Sequence, residues 1–138
     1  MEKKYHYFGQ LGIGAQKIVY RPILEIVIEH NKKSIRATAI VDSGTEISLI
    51  ESSIAHFLEI DLTKCKKVKL SGITGEAVGY ASDISIQVEG FKEILSIPVI
   101  FTDELKTGIL LGQIGFFESF IITFDKAHNE FLLERNRV

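Results

Sequence analysis

The sequence predicts a mainly β protein that folds as a closed or nearly closed barrel with one or two short helices. Hydrophobic residues alternate with polar ones at period two over most of the chain, the apolar runs are short, and turn-forming residues separate them at regular spacing. With 138 residues, 46% of them hydrophobic and 25% charged, the chain has the size and apolar content of one domain. We therefore predict a single domain over residues 1–138, with its core in about residues 20–135.

The first half of the chain predicts a hairpin, a short helix and a further strand. Residues 22–29 are rich in β-branched side chains, residues 35–41 alternate, and a short polar turn separates them. Residues 52–58 predict one or two helical turns. The core-facing side of that helix is predicted to carry Ile54, Phe57 and Leu58. A further strand is predicted from residue 68.

The second half predicts more strands and a second helix. Residues 83–89 alternate most clearly, and residues 93–101 and 108–111 are further apolar strands. Residues 113–120 predict a helix, and residues 121–124 and 130–133 a final hairpin. The core-facing side of this second helix is predicted to carry Ile114, Phe117 and either Phe120 or Ile121. Near the N-terminus, the glycine-rich residues 9–14 lack the Gly-Lys-Ser/Thr of a phosphate loop, so we interpret them as a flexible loop or strand connector.

The most informative stretch is Ala39–Thr45, in which three apolar residues lead directly into Asp-Ser-Gly-Thr. This pattern predicts a buried strand that delivers the carboxylate of Asp42 onto a tight turn. A buried carboxylate is unfavourable unless it is hydrogen-bonded or shares a proton. Ser43 and Thr45 can supply hydrogen bonds, and Gly44 allows close approach of backbone or ligand. Because folding alone does not require an acid at this place, the stretch indicates a catalytic site.

The Asp42 stretch resembles the active-site loop of aspartic peptidases, a hydrophobic pair followed by Asp-(Thr/Ser)-Gly-(Ala/Ser/Thr). Residues 108–117 contain Leu110-Leu111-Gly112, which resembles the apolar-apolar-Gly element that precedes a short helix in retroviral-type (retropepsin-like) peptidases. Residues 70–78, with Gly72-Ile73-Thr74-Gly75 at their centre, look like the flap hairpin of that family. The three elements follow the order of the family across about residues 39–117.

This resemblance implies a closed acid-protease β-barrel and assigns roles around the loop. Asp42 would be the acid/base residue, Ser43 would point its hydroxyl across a dimer axis, and Gly44 would leave its backbone open to substrate. Thr45 would hydrogen-bond the Asp42 carboxylate. Leu111 and Gly112 would be structural, with Gly112 packed near the loop where a side chain would clash. The segment Gly72, Ile73, Thr74 and Gly75 would cover a bound peptide as a flap.

Aspartic peptidase chemistry needs two carboxylates about 3 Å apart that share one proton. The other aspartates are not followed by a hydroxyl residue and then glycine; they are Asp61, Asp83, Asp103 and Asp125. The chain is too short for a second copy of the lobe, and a two-fold axis brings a residue near it against its own copy. We therefore predict a homodimer with one shared active site that hydrolyses peptides or proteins.

Composition narrows the remaining classes of function. The net charge of −2 does not favour nucleic acid or an anionic membrane, and there is no signal-like or membrane-length apolar run. With one cysteine, Cys65, and four scattered histidines, we predict no disulfide, no metal site and no cofactor, and a cytoplasmic protein. Two alternatives stay open: a catalytically silent dimerisation or peptide-binding module of the same fold, and a peptidase whose activity is gated, with residues 1–20 as a candidate cover or interface strand.

Overall fold

A computed structural model of the chain describes residues 1–11, 17–72, 75–105 and 108–137. The strands are β1 (Glu2–His6), β2 (Phe8–Leu11), β3 (Ile18–Arg21), β4 (Ile23–His30), β5 (Lys33–Val41), β6 (Ser48–Glu51), β7 (Lys66–Gly72), β8 (Gly75–Val88), β9 (Ile94–Thr102), β10 (Ile109–Leu111), β11 (Phe120–Asp125) and β12 (Glu130–Arg135). The helices are α1 (Ser52–Phe57) and α2 (Phe116–Ser119), with 3₁₀ turns at Leu62–Lys64 and Lys126–His128. No helix in these ranges has both the length and the apolar character needed to cross a membrane.

Six strands close into a barrel in the order β4, β5, β10, β6, β9 and β8, and β8 pairs back onto β4. The short β10 lies between β5, to which it is parallel, and β6, to which it is antiparallel. The long β8 also pairs with β7, which extends the sheet beyond the closed ring. The predicted closed, mainly β barrel with two short helices is confirmed.

The barrel core is built from alternating side chains, as the period-two pattern predicts. On β8, Ile84, Ile86 and Val88 are at most 2% exposed, while Asp83 and Glu89 are exposed. Each such buried aliphatic side chain contributes about 1.5–3 kcal/mol relative to an exposed one. Burial of this face therefore sets the register of β8 between β4 and β9, because a one-residue slip would turn the apolar side chains outward.

A second, three-stranded sheet packs against the barrel in the order β1, β12, β11. Phe131 of β12 is fully buried and stacks on Tyr5 of β1 with the ring centroids 5.3 Å apart. The predicted C-terminal hairpin is β11 and β12, joined by a 3₁₀ turn in which Asn129 adopts a left-handed φ of 52°. In this sheet the N-terminal strand β1 is hydrogen-bonded to the C-terminal strand β12.

Both predicted helices differ from the observed ones in extent or orientation. In α1 the buried positions are Ser52 and Ala55, followed by Leu58 at the C-cap, so Phe57 is 56% exposed instead of facing the core. The i, i+3 spacing of these three residues defines the buried face.

The second helix is only one turn long, over residues 116–119 rather than 113–120. Residues 113 and 114 use their backbone N–H groups to bind the loop that contains Asp42, and Gly115 adopts a φ of +89°. The chain therefore becomes helical only after Gly115, and Ile114 is 37% exposed rather than buried. Ile121 is 52% exposed, so Phe120, at 3%, is the core residue of the predicted pair.

The N-terminal region differs from the predicted flexible connector. Residues 8–11 and 18–21 pair as the antiparallel hairpin β2–β3, with Phe8 opposite Arg21 and Leu11 opposite Ile18. Residues 12–14 of the glycine-rich stretch lie outside the described residues.

Candidate active site

Asp42 lies immediately after β5, at one end of the barrel. The N–H of Val41 donates to the Pro22 carbonyl at 2.8 Å, and the N–H of Asp42 donates to the Leu111 carbonyl at 2.9 Å. Val41 is 3% exposed, whereas Asp42 is half-buried. The strand end is therefore fixed on both sides while the carboxylate remains accessible.

The carboxylate is held by its own turn. Gly44 donates its backbone N–H to Oδ1 of Asp42 at 2.8 Å, and the Thr45 N–H donates to the Asp42 carbonyl at 3.3 Å. Ser43 and Gly44 are exposed. A backbone N–H that binds a carboxylate oxygen fixes the orientation of the carboxylate.

The hydroxyl bond expected from Thr45 is not among the hydrogen bonds of the described residues. In the single chain the methyl group of Thr45 faces Gly112: a Cβ built on Gly112 would lie 2.5 Å from Cγ2 of Thr45 and 2.7 Å from its carbonyl oxygen. Only a residue without a side chain permits this approach. Thr45 therefore contacts the segment that follows β10.

Residues 112–114 bind the loop through the backbone. Gln113 N–H donates to the Thr45 carbonyl at 2.9 Å, and Ile114 N–H donates to the Glu46 carbonyl at 2.8 Å. The N–H of Gly112 donates to Oγ of the fully buried Ser48 at 2.9 Å. The loop and the segment after β10 thus form one hydrogen-bonded unit, and Leu111, 1% exposed, anchors it in the core.

Sequence reasoning missed one residue of this unit, Gln113. Its side-chain Nε2 donates to the carbonyl oxygen of Ser43 at 2.6 Å. The bond fixes the peptide unit between Ser43 and Gly44, which carries the N–H that binds the Asp42 carboxylate. The sequence does hold a sign of this role, because Gln113 is an amide residue that directly follows Gly112, at the end of a strand predicted to lie near the loop.

The candidate flap is the hairpin of β7 and β8. The two strands pair from Lys66↔Ala81 to Gly72↔Gly75, and Ile73 and Thr74 lie outside the described residues. At the base of the hairpin, Gly79 of β8 pairs with Thr102 of β9, and a Cβ at Gly79 would overlap Cγ2 of Ile100. Gly72 and Gly75 therefore stand at the far end of a hairpin whose base packs on the barrel.

The remaining aspartates have local structural roles or exposed positions. Asp61 caps one 3₁₀ turn, where hydrogen bonds from the side chain and then the backbone of Thr63 lower the pKa of its carboxyl. Asp125 caps the other, and the hydrogen bond from His128 is the main cause that lowers the pKa of its carboxyl. Asp83 and Asp103 are exposed. Among the described residues, no cluster of three or more His, Cys, Asp or Glu could hold a metal ion.

The closed barrel, the Asp-Ser-Gly-Thr turn at its end and the glycine packed against that turn define the aspartic-peptidase class of protein. In agreement, the family model described as "Aspartyl protease" matches residues 26–113, which include Asp42, the hairpin of β7 and β8, and Gly112. The chain belongs to the aspartyl protease family. Strands β1–β3 and β11–β12 lie outside the matched segment.

A solved structure supports the retropepsin-like fold. The chain is similar to a retropepsin-like aspartic protease from Rickettsia conorii, known from a crystal structure, with 18% sequence identity and a TM-score of 0.66. The similarity covers 96% of this chain and 89% of the Rickettsia chain. No curated protein matches the sequence.

Proposed function

We propose that this chain is an aspartic endopeptidase that works as a homodimer, with one active site formed by two copies of Asp42. The observation that carries the proposal is the Asp42 turn itself. Its carboxylate is accessible at the end of a buried strand, is oriented by the Gly44 N–H at 2.8 Å, and is supported from behind by residues 112–114. An ordinary surface turn needs no such support.

The chemistry follows from two carboxylates that share one proton. The ionised carboxylate removes a proton from a water molecule bound between them, and the protonated one donates a hydrogen bond to the carbonyl of the peptide bond to be cleaved. The water oxygen attacks the carbonyl carbon while the carbonyl oxygen takes the proton of the second carboxyl group, which gives a tetrahedral diol. In its collapse the C–N bond breaks, the leaving nitrogen takes the proton that the first carboxylate removed from water, and a diol hydroxyl returns a proton to the second carboxylate. The two carboxyl groups again share one proton, and no covalent enzyme intermediate forms.

The second carboxylate is proposed to come from a second copy. Asp42 is the only aspartate in the sequence followed by a hydroxyl residue and glycine. Because Ser43 and Gly44 are exposed in the single chain, they are available to meet their symmetry mates across a two-fold axis. Ser43 would donate its hydroxyl across that axis, Thr45 would hydrogen-bond the paired carboxylates, and the hairpin that ends at Gly72 and Gly75 would close over the substrate.

The test is cleavage of a peptide library at mildly acidic and neutral pH by the wild type, by Asp42→Asn and by Asp83→Asn. Asp83 is a matched control, since it is exposed on β8 and lies outside the turn. Asp42→Asn should lower the cleavage rate at least about 100-fold, the scale of a lost general acid/base, and Asp83→Asn should leave it unchanged. Equal loss in the two variants would refute the assignment of Asp42.

If two chains share one active site, a mixture of active and inactive chains should lose a predictable fraction of its activity. When wild type and Asp42→Asn are mixed in equal amounts and allowed to exchange subunits, only dimers of two wild-type chains remain active. Activity should fall to about one quarter of that of the same total amount of wild type. A fall to only about one half would mean that each chain works alone. A stable dimer that cleaves no peptide under any condition would favour a silent binding module of the same fold.

A further inference from the structure

The hairpin of β2 and β3, called here the arm, consists of residues 8–11 and 18–21. In the part of the chain that the structure describes, these two strands pair only with each other. A two-stranded hairpin alone is at best marginally stable in water, and usually gains stability by packing against something else. The arm also lies outside the segment that defines the family, which begins at residue 26.

One face of the arm is apolar and open. Cross-strand partners share a face of a sheet, so Leu11 and Ile18 lie together, beside Gly9 and Tyr20. A Cβ at Gly9 would lie 2.9 Å from Cγ2 of Ile18 and 3.3 Å from Cε1 of Tyr20, so both side chains close over the glycine. Leu11, Ile18 and Tyr20 are nevertheless 77%, 61% and 44% exposed. This continuous apolar surface is typical of a protein-contact site.

The base of the arm is held firmly. Where the chain enters it, the Tyr7 N–H donates to the Asn129 carbonyl at 2.7 Å, and Lys126 Nζ donates to the Tyr20 carbonyl at 3.3 Å. Where the chain leaves it, the Pro22 carbonyl accepts the N–H of Val41, the residue before Asp42. The arm therefore starts from the same end of the barrel as the Asp42 turn, with both of its roots fixed.

We propose that the apolar face of the arm packs against a second copy of this chain and stabilises the dimer. This inference rests on the proposed function, in which the site at that end of the barrel is incomplete without a second copy. Because the root at Pro22 binds the residue that precedes Asp42, a two-fold axis beside Asp42 brings the arms of both copies to the edge of the shared interface. Each arm then buries Leu11, Ile18 and Tyr20, which are otherwise exposed.

The experiment compares the double variant Leu11→Ser/Ile18→Ser with Phe57→Ser by sedimentation equilibrium. Phe57 is a matched control because it is 56% exposed and lies on α1, which follows the far end of β6. Loss of two apolar contacts on each of two arms should weaken the dimer at least about 100-fold, and Phe57→Ser should not change it. Since the substituted residues are exposed in the single chain, far-UV circular dichroism of the double variant should match the wild type, while its Tm should fall only at concentrations where the wild type is dimeric.

A photo-crosslinking group at position 11 provides the direct test of contact. Leu11→p-benzoylphenylalanine should give a covalent species of two chains on irradiation, whereas the same group at position 57 should not. A double variant that stays dimeric with unchanged affinity overturns the inference, and so does a variant that remains dimeric with a raised KM alone, which would make the arm a substrate contact. A wild type that is monomeric at every concentration overturns it as well.

The two proposals fail in different ways. If the wild type is a dimer that the arm substitutions dissociate, but no peptide is cleaved, the arm inference stands and the endopeptidase proposal fails. If the dimer cleaves peptides in an Asp42-dependent way and the arm substitutions do not change its affinity, the endopeptidase proposal stands and the arm inference fails.

Discussion

Replacement of Gly112 by alanine tests whether the segment after β10 controls the geometry of the Asp42 turn. The added Cβ would lie 2.5 Å from Cγ2 of Thr45, 2.7 Å from the Thr45 carbonyl oxygen and 3.1 Å from the carbonyl carbon of Ile47. Comfortable contacts of carbon atoms lie at about 3.5–4.0 Å. Two of the three neighbours are backbone atoms, so a rotamer change cannot relieve the overlap.

The structure sets the size of the effect. Removal of the overlap requires the Asp42 turn and the segment after β10 to separate by about 1 Å. Overpacking of this kind lowers the free energy of unfolding by about 1–3 kcal/mol. A displacement of about 1 Å of catalytic groups can lower kcat about 100-fold, equivalent to about 2.7 kcal/mol of activation free energy. Gly112→Ala should therefore lose both stability and kcat.

Gly108→Ala is the control. Gly108 precedes the same strand and has a φ of +84°, but a Cβ there would meet no atom of the described residues within 4 Å. Alanine in this left-handed conformation should lower the free energy of unfolding by about 1–2 kcal/mol without moving the Asp42 turn.

Urea unfolding and steady-state kinetics on both variants separate the two effects. Similar losses of stability with a loss of kcat only in Gly112→Ala would support the argument. A Gly112→Ala enzyme with wild-type kcat would refute the claim that this contact positions the turn.

Three further predictions concern other contacts. Gln113→Ala removes the bond to the Ser43 carbonyl and should lower kcat about tenfold with little change in KM, with partial recovery in Gln113→Asn. Ser48→Ala leaves a buried backbone N–H without its acceptor, and urea unfolding should show a loss of about 1–3 kcal/mol. Burial, and then the charge of Glu89, raises the pKa of Tyr5 to about 12. The contribution of the neutral Tyr5 side chain to stability should be complete below pH 10, the ordinary pKa of tyrosine, and should be lost as the pH rises through 12. The free energy of unfolding of Tyr5→Phe should not show this decline at alkaline pH.

The alternating strands were predictable because successive side chains of a strand point to opposite faces, so a strand with one buried face has an apolar residue at every second position. The alternation over residues 83–89 places Ile84, Ile86 and Val88 on one face, and all three are in the core. The closure of the barrel depends instead on β10, three residues long, which pairs with Ile40 and Val41 some 70 positions earlier in the sequence. No local pattern encodes such a long-range pairing, so the barrel class was predictable whereas its strand order was not.

The candidate site was partly predictable for the same reason. The turn at Asp42 is local, so its motif could be recognised in the sequence. Gln113 reaches Ser43 only because β5 and β10 lie side by side, and an amide that follows Gly112 does not by itself identify its partner. The pairing of β2 with β3 was not predicted, because the glycine-rich residues 9–14 favour a flexible loop or strand connector. The apolar residues of the arm are also exposed, so the rule that alternating apolar residues face a core does not apply to them.

Most of the hydrogen bonds that hold the Asp42 turn come from backbone groups, and this determines which substitutions the site tolerates. The N–H groups of Asp42, Gln113 and Ile114 bind carbonyl oxygens across the two segments, and these bonds do not depend on the side chains of residues 113 and 114. Gly112 is different, since its lack of a side chain allows the segments to approach. In the proposed dimer, the two Asp42 carboxylates would repel each other when both are ionised, and a flexible turn would allow them to separate. A turn held by backbone bonds at fixed spacing resists that separation, so substitutions at Ile114 should be tolerated far better than any at Gly112.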